Sequence, residues 1–359
     1  MYIDKDIREL IIASENQVPM VDLRSPGEFM EATIPGSYNV PLLDNVERSL
    51  VGKAHKLQGP DRARELAMEI VAPKLPRFVY TIKKIALNDE VNVFCWRGGD
   101  RSHFAGCILD AMGIKVNRII GGFKSYRRYI IEYLSRALPH RAIVIHGLTG
   151  VGKTDLLLEL ERNGCPVLDL EGLASHRGSV FGKIGQPASP GQKMFEALIQ
   201  DNLRRAEKTG VFLVECESKR LGNLFVPDTV LDSMRCGYRV LAYAPLELRV
   251  QRIKRDYFTG TKGNPQALHE AIKRLAKYLG NSKVEELNKL LDRGEVELVI
   301  EFLLTDYYDP LYKYPCGPDH HYDLSVQVKD AAQTAQVISK WLNQLPEYKQ
   351  QGVTDNDCG

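Results

Sequence analysis

Long apolar runs are missing from this sequence. Nothing approaches the roughly 18 consecutive apolar residues of a membrane helix, so no spanning segment is expected. The N-terminus, MYIDKDIREL, carries charges where a secretory leader has an apolar core, and a cytoplasmic protein is expected. Paired cysteine motifs are missing too. The seven cysteines, at 95, 107, 165, 216, 236, 316 and 358, are odd in number and contain no CxxC. That pattern argues against a four-cysteine zinc site and against a disulfide framework. It suits a reducing compartment, in which a thiolate nucleophile survives. A large charge imbalance is also absent. With 48 basic and 46 acidic residues, the net charge of +2 does not announce a polyanionic partner. Any nucleic-acid surface must therefore be a local patch. Neither an internal repeat nor a low-complexity tract is present.

What is present is globular composition, 44% hydrophobic and 26% charged, over 359 residues, enough for two domains. Strands are expected at Pro19–Leu23, Val91–Phe94 and Val116–Ile120, with a helix at His103–Met112. Between them, Asp44–Asn88 is a long insert of helical pattern, rich in basic residues such as Lys53, Lys56, Arg62 and Arg64. It reads as a solvated helical face or as a contact surface for an anionic partner. Pro139 breaks the pattern, and strands resume at Ala142–His146, Pro166–Leu170, Val211–Glu215 and Arg239–Ala244. Leu246–Gly294 is expected to be nearly all helix. Alternating strands and helices imply parallel sheets covered on both faces. The expected organisation is an α/β chain with domains at residues 1–138 and 139–348 and a polar, frayed tail at 349–359.

The segment CWRGGDRS, Cys95–Ser102, follows an apolar strand and enters a helix. Backbone N–H groups of such a loop converge on its centre and the helix N-terminus adds positive potential, so the loop suits an anion and favours a cysteine thiolate. Arg101 lies six positions beyond Cys95, and its guanidinium can fork onto a tetrahedral oxyanion. Gly98 and Gly99 let the backbone bend, with Trp96, Arg97 and Ser102 completing the loop. The implied chemistry is thiolate attack on a tetrahedral anion or carriage of a chalcogen atom on Cys95. Asp100 places an acid in this loop, opposing the thiolate unless it points to solvent or pairs with Arg97.

A second loop, GLTGVGKT at Gly147–Thr154, fits G-x4-G-K-[ST] between an expected strand and an expected helix, the context in which the pattern cradles phosphates. Gly147, Thr149, Gly150 and Gly152 would supply backbone, Lys153 charge, and Thr154 a ligand to Mg²⁺ if a metal is used. Glu215 and Glu217, in VFLVECES, lie at the end of a strand where a metal or its water could be held, and Asp169 and Glu171 have a similar standing. His176 and Arg177 sit in a glycine-punctuated loop, Ser175–Gly182, that reads as part of the same site.

The stretch VDLRSPGEFMEATIPGSYNVPL, with VFCWRGGDRSHFAGCILDAMGI and VNRIIGGFKSY, resembles the rhodanese family. The five residues between Cys95 and Arg101 make a loop similar in size to that of rhodanese-fold phosphatases, roomy enough for phosphate carrying selenium. Asp22, Arg24 and Glu28 match the first rhodanese signature and are read as structural ties. A rhodanese-like parallel-sheet domain followed by a P-loop NTPase-like α/β domain with a helical extension resembles the tRNA 2-selenouridine synthase family. The resemblance extends through VGKAHKLQGPDRA, DLEGLASHRGSVFG, VECESKRLGN and YYDPLYKY. It implies a tRNA substrate with a 2-thiouridine at the wobble position of the anticodon arm. The sulfur would be alkylated by geranyl diphosphate and the S-geranyl group then displaced by selenium from selenophosphate, with no tightly bound cofactor. It further implies Cys95 as nucleophile or relay, Arg101 as anion clamp, Lys153 and Thr154 as diphosphate grip, and Gly59 as a substrate contact. Basic residues of 249–255 and 53–64 are the expected tRNA surface. Two other readings need only the generic motifs: a sulfurtransferase or phosphatase fused to a small-molecule kinase, and a nucleotide-gated binding module without catalysis.

Overall fold

The computed structural model describes residues 2–12, 18–176, 187–258 and 265–348. The chain divides into two compact units, Met1–Ser135 with Gly191–Leu198, and Arg136–Pro190 with Ile199–Gly359.

The first unit is built on five strands: β1 (Ile3–Lys5), β2 (Met20–Asp22), β3 (Tyr38–Asn39), β4 (Glu90–Phe94) and β5 (Lys115–Ile119). They run in the order β1-β5-β4-β2-β3, every neighbouring pair parallel. A parallel sheet is buried on both faces, which is why β4 reads as a continuous apolar run rather than an alternating one. Val91 and Val93 enter one apolar cluster with Leu23, Phe78, Ile82 and Leu109, while Phe94 enters another with Ile7, Ile119, Phe123 and Ile130. The insert forms three helices, Asn45–Gln58, Pro60–Val71 and Leu75–Ile85. The first opens with reciprocal capping between Asp44 and Glu47, at 2.8 Å in each direction. Beneath the sheet's end, Arg24 and Asp22 are fully buried and paired at 2.6 Å. Arg24 also donates to the Ala32 carbonyl and lies over the Phe123 ring. The structural role expected of this pair is the one its contacts describe.

The second unit has a sheet of β6 (Arg141–His146), β7 (Val167–Leu168), β8 (Val211–Glu215), β11 (Tyr238–Tyr243) and β12 (Leu324–Gln327), and a short antiparallel ribbon of β9 (Arg220–Leu221) and β10 (Leu224–Phe225). The main sheet runs β12-β11-β6-β8-β7, all parallel. The strand expected at Pro166–Leu170 stops at Leu168, because Asp169 caps the helix Leu170–Ala174, accepting from the Gly172 N–H at 2.8 Å. Leu246–Gly294 resolves into helices Leu246–Phe258, Pro265–Lys273, Ala276–Leu279 and Asn281–Asp292 among the described residues. The last three, with Val296–Phe302, support a satellite cluster around Ile272, Leu287 and Val299, and the first packs Val250 and Ile253 with Ile300 and Leu304. Helix Ala331–Leu342 sets Ala335, Ile338 and Leu342 against Leu156, Leu157 and Leu160 of the helix Lys153–Arg162.

Candidate functional site

Cys95 follows β4 directly and helix Asp100–Ala111 begins five residues on, so the loop caps a central strand of the first sheet. The thiol is buried, with Sγ 3.3 Å from the Ser102 hydroxyl. Ser102 donates to the Gly99 carbonyl at 3.1 Å. The loop is seated on the start of helix Gly122–Leu134. The Phe123 N–H donates to the Cys95 carbonyl at 2.8 Å and the Lys124 N–H to the Trp96 carbonyl at 3.0 Å. Only glycine fits at 122: its φ is +58°, and a Cβ there would stand 2.3 Å from the Cys95 carbonyl oxygen and 2.6 Å from the Gly98 nitrogen. Trp96 tilts against Phe123 at 5.7 Å, Arg118 donates to the Gly98 carbonyl at 3.0 Å, and Arg97 and Gly99 are exposed.

Arg101 reaches back toward Glu28, donating at 2.9 Å and 3.4 Å to its two oxygens. Glu28, read from sequence as a structural tie, is therefore the group that orients the expected anion clamp. Burial raises the Glu28 carboxyl, but Arg101, the Ser25 N–H and Arg48 outweigh it and leave the pKa below its ordinary value. Asp100 does not pair with Arg97. It is exposed and accepts from Arg64 at 3.2 Å, a contact between the insert and the cysteine loop. Gly59, at φ +93°, is the joint between helices Asn45–Gln58 and Pro60–Val71, and a Cβ there would meet open space.

In the second unit, Gly147–Thr154 leaves the C-terminal end of β6, the middle strand of its sheet, and Lys153 opens the following helix. Gly147 passes so close to β11 that a Cβ would lie 2.3 Å from the Ala242 carbonyl. Lys153 Nζ donates to the Gly147 carbonyl at 3.0 Å, and Thr154 Oγ1 to Glu215 Oε1 at 3.3 Å. A pocket of about 320 Å³ lies here. Thr149, Gly150, Gly152, Lys153, Thr154 and Glu215 line its polar side, and Ile253, Ile300, Leu303, Leu304 and Tyr308 its apolar side. The apolar wall includes residues of a π-helical turn, Leu303–Tyr308, that motif reading does not find.

Glu171, Glu215 and Glu217 bring carboxylate oxygens within 4.8 Å of one another. Burial raises the pKa of both Glu215 and Glu217, the charge on Glu171 raises them further, and Lys153 offsets only part of this. The expected carboxylates thus assemble, with Glu171 among them, while Asp169 serves as a helix cap. His176 lines the pocket, and Arg177 lies outside the described residues. Tyr314, from the C-terminal tyrosine-rich stretch, also lines it and donates to Cys216 Sγ at 3.3 Å.

Of the basic run at 249–255, expected to belong to a tRNA surface, Arg249 and Arg252 turn inward while Arg255 stays exposed. Arg249 is buried, ion-paired to Asp309, and donates to the Thr149 carbonyl at 2.8 Å. Arg252 donates to the Val151 and Val328 carbonyls, each at 2.7 Å. Lys254 pairs with Glu297 and Arg255 with Asp155. Two of these cations fix the phosphate loop by its carbonyls, a role that basic character alone does not distinguish from a solvated face.

Two family models match the chain, one described as tRNA 2-selenouridine synthase AAA domain over residues 140–345 and one as Rhodanese-like domain over residues 5–129. A tRNA 2-selenouridine synthase of Nitrosomonas eutropha (strain DSM 101675 / C91 / Nm57) is 33% identical over 356 residues, with 86% of this chain and 91% of that one covered. One of Pseudomonas syringae pv. syringae (strain B728a) is 34% identical over 341 residues, with 86% and 90% covered. Among solved structures, shikimate kinase from Bacteroides thetaiotaomicron gives a TM-score of 0.24 at 14% identity, covering 56% of this chain and 98% of that one.

Proposed function

The chain belongs to the tRNA 2-selenouridine synthase family, and from that membership we propose that it converts the wobble 2-thiouridine of tRNA to 2-selenouridine in two steps. In the first, the phosphate loop holds geranyl diphosphate. Backbone N–H groups and Lys153 take the diphosphate, and the apolar wall at Ile300, Leu303 and Leu304 takes the hydrocarbon. The thiocarbonyl sulfur bonds to C1 of the geranyl group, the C1–O bond breaks, diphosphate leaves with the electron pair, and the base gives its N3 proton to water. The hydroxyl of Thr154 and the carboxyl of Glu215 are oxygen donors already within hydrogen-bonding distance and would hold Mg²⁺, whose charge would displace the Glu215 proton and offset the charge of the leaving diphosphate.

In the second step the cysteine loop holds selenophosphate, with Arg101 as clamp and the Cys95 thiolate as nucleophile at C2 of the base. Selenium is at the selenide level on pentavalent phosphorus, so no oxidant or reductant is required. The Cys95 thiolate bonds to C2 and geranylthiolate leaves with its C–S pair; selenium then bonds to C2 as the Cys95 thiolate leaves with the second C–S pair, and water takes the phosphoryl group to give phosphate. A sulfur that is a poor leaving group as a thiocarbonyl becomes a good one once alkylated. The order of the steps follows from this.

The observation that carries the reading is the pocket at Gly147–Thr154. It joins a cationic phosphate loop to an apolar wall, the two halves of a prenyl diphosphate. The test is mass spectrometry of a 2-thiouridine anticodon stem-loop incubated with geranyl diphosphate, then with selenophosphate. The wild type should add a geranyl mass and then exchange sulfur for selenium. Lys153→Ala should lose the first step but still process a pre-geranylated stem-loop, and Cys95→Ala should lose only the second. No mass change in the wild type, with ATP hydrolysis or thiosulfate turnover instead, would give the case to a sulfurtransferase fused to a kinase.

A further inference from the structure

The two steps leave one large feature of the first unit without a role. A groove of about 920 Å³ is lined by helices Asn45–Gln58, Pro60–Val71 and Asp100–Ala111. That volume sits near the top of the roughly 300–1,000 Å³ range of small-molecule sites, which are mostly apolar with a few placed polar groups. The floor is apolar, formed by Leu42, Leu43, Val51, Val71 and Phe104, and Met68 is half exposed beside it. The rim is basic, with Arg48, Lys53, Lys56, Arg64 and Arg101, and Asp100 its one carboxylate. Lys53 and Lys56 are exposed and make no ion pair among the described residues. Asp100 and Arg101 belong both to this rim and to the cysteine loop, so the groove begins where the selenium step would take place.

We propose that the groove holds the hydrocarbon chain of the S-geranylated nucleoside during the selenium step, its basic rim facing the RNA phosphates. This rests on the two-step reading above. The leaving group of that step is a ten-carbon apolar chain that must lie beside the cysteine loop while it is still attached to a polyanion. An apolar floor under a cationic rim, contiguous with the loop, is complementary to that pair of properties, and a neutral hydrocarbon or an acidic protein segment matches only half of it. Holding the chain there would also point the C–S bond toward the loop and keep water from the leaving sulfur.

Cys107 makes the proposal testable in the unaltered protein, since it is exposed and lines the groove. Full-length enzyme would be alkylated with N-ethylmaleimide beside a stem-loop carrying S-geranyl or S-methyl 2-thiouridine, and each cysteine followed by peptide mass spectrometry. The S-geranyl RNA should slow Cys107 alkylation about tenfold and the S-methyl RNA should not, as expected if burial of the chain strengthens binding by that factor. Cys236, exposed in the second unit, should be unaffected by either. Ala67→Trp, which fills the groove, should cut selenium exchange on S-geranyl RNA about tenfold and leave geranylation at the wild-type rate. Equal protection of Cys107 by both RNAs, or by neither, in an enzyme that carries out both steps overturns the groove assignment alone. A wild type that forms neither geranyl nor selenium product overturns the two-step reading and the groove with it. The footprint needs no substitution, so a poorly folding Ala67→Trp would not blur the decision.

Discussion

Glu215 ends β8, Glu217 stands two residues beyond it, and both are forced into the same predicament. Burial pushes both carboxyls up to about 8, and Glu171 adds to the effect. In the folded chain they keep protons that the unfolded chain releases above about pH 4.5. The unfolded state therefore binds fewer protons across that window, and stability falls as pH rises toward about 8. His140 and His146 are pushed down to about 4, chiefly by burial. They act in the opposite sense, but only below about pH 6.5, since above it they are neutral in both states. Thermal melts between about pH 6.5 and about pH 8 thus report on the carboxyls. Followed at Trp341 in a Trp96→Phe background, the melting temperature should fall across this range, and Glu217→Gln should flatten the decline. A fall as steep in Glu217→Gln as in the parent would remove Glu217 from the account.

At the scale of elements, each loop depends on backbone closeness that a single side chain would spoil. At Gly122 the left-handed φ and the Cys95 carbonyl leave no room for a methyl group. Gly122→Ala should abolish selenium exchange while geranylation by the second unit persists, read in the same mass spectrometric assay. Loss of both activities would mean that the substitution acts on folding at large. The two loops were legible in the sequence because each announces itself over eight residues, with an apolar strand before and a helix after. Other elements were not. The strand β1 is three residues with two charges, and β12 is four residues with alternating polarity. Neither carries a pattern of its own, and each becomes a strand only by adding to the edge of a sheet. Arg249 and Arg252 were misassigned for a related reason. The sequence shows where guanidiniums are, but not that their donors turn inward to the carbonyls of Thr149 and Val151. The pairing of Glu28 with Arg101 spans 73 positions and had no local signal at all.

For the whole molecule, the two proposed reactions use residues of different compact units, and each loop hangs from its own parallel sheet. A chain damaged in one loop should keep the other. Cys95→Ala and Lys153→Ala, mixed in equal amounts with stem-loop, geranyl diphosphate and selenophosphate, should together form the 2-selenouridine product that neither forms alone. Failure of the mixture, with each variant active in its own step, would mean that the alkylated RNA does not leave one chain for another. The parallel sheets also set the order in which the chain can mature. Gly147–Thr154 is synthesised before the midpoint, but the strand that completes its sheet, β12, and the helix that covers Lys153–Arg162 come last. Contacts between segments so far apart form slowly and leave intermediates exposed. A message cut short after β11 would yield every residue of the phosphate loop but not the strand and helix that close the scaffold around it. Such a fragment would show the bare edge of β11 and the apolar stripe Leu156, Leu157 and Leu160 to the cell's proteases and chaperones.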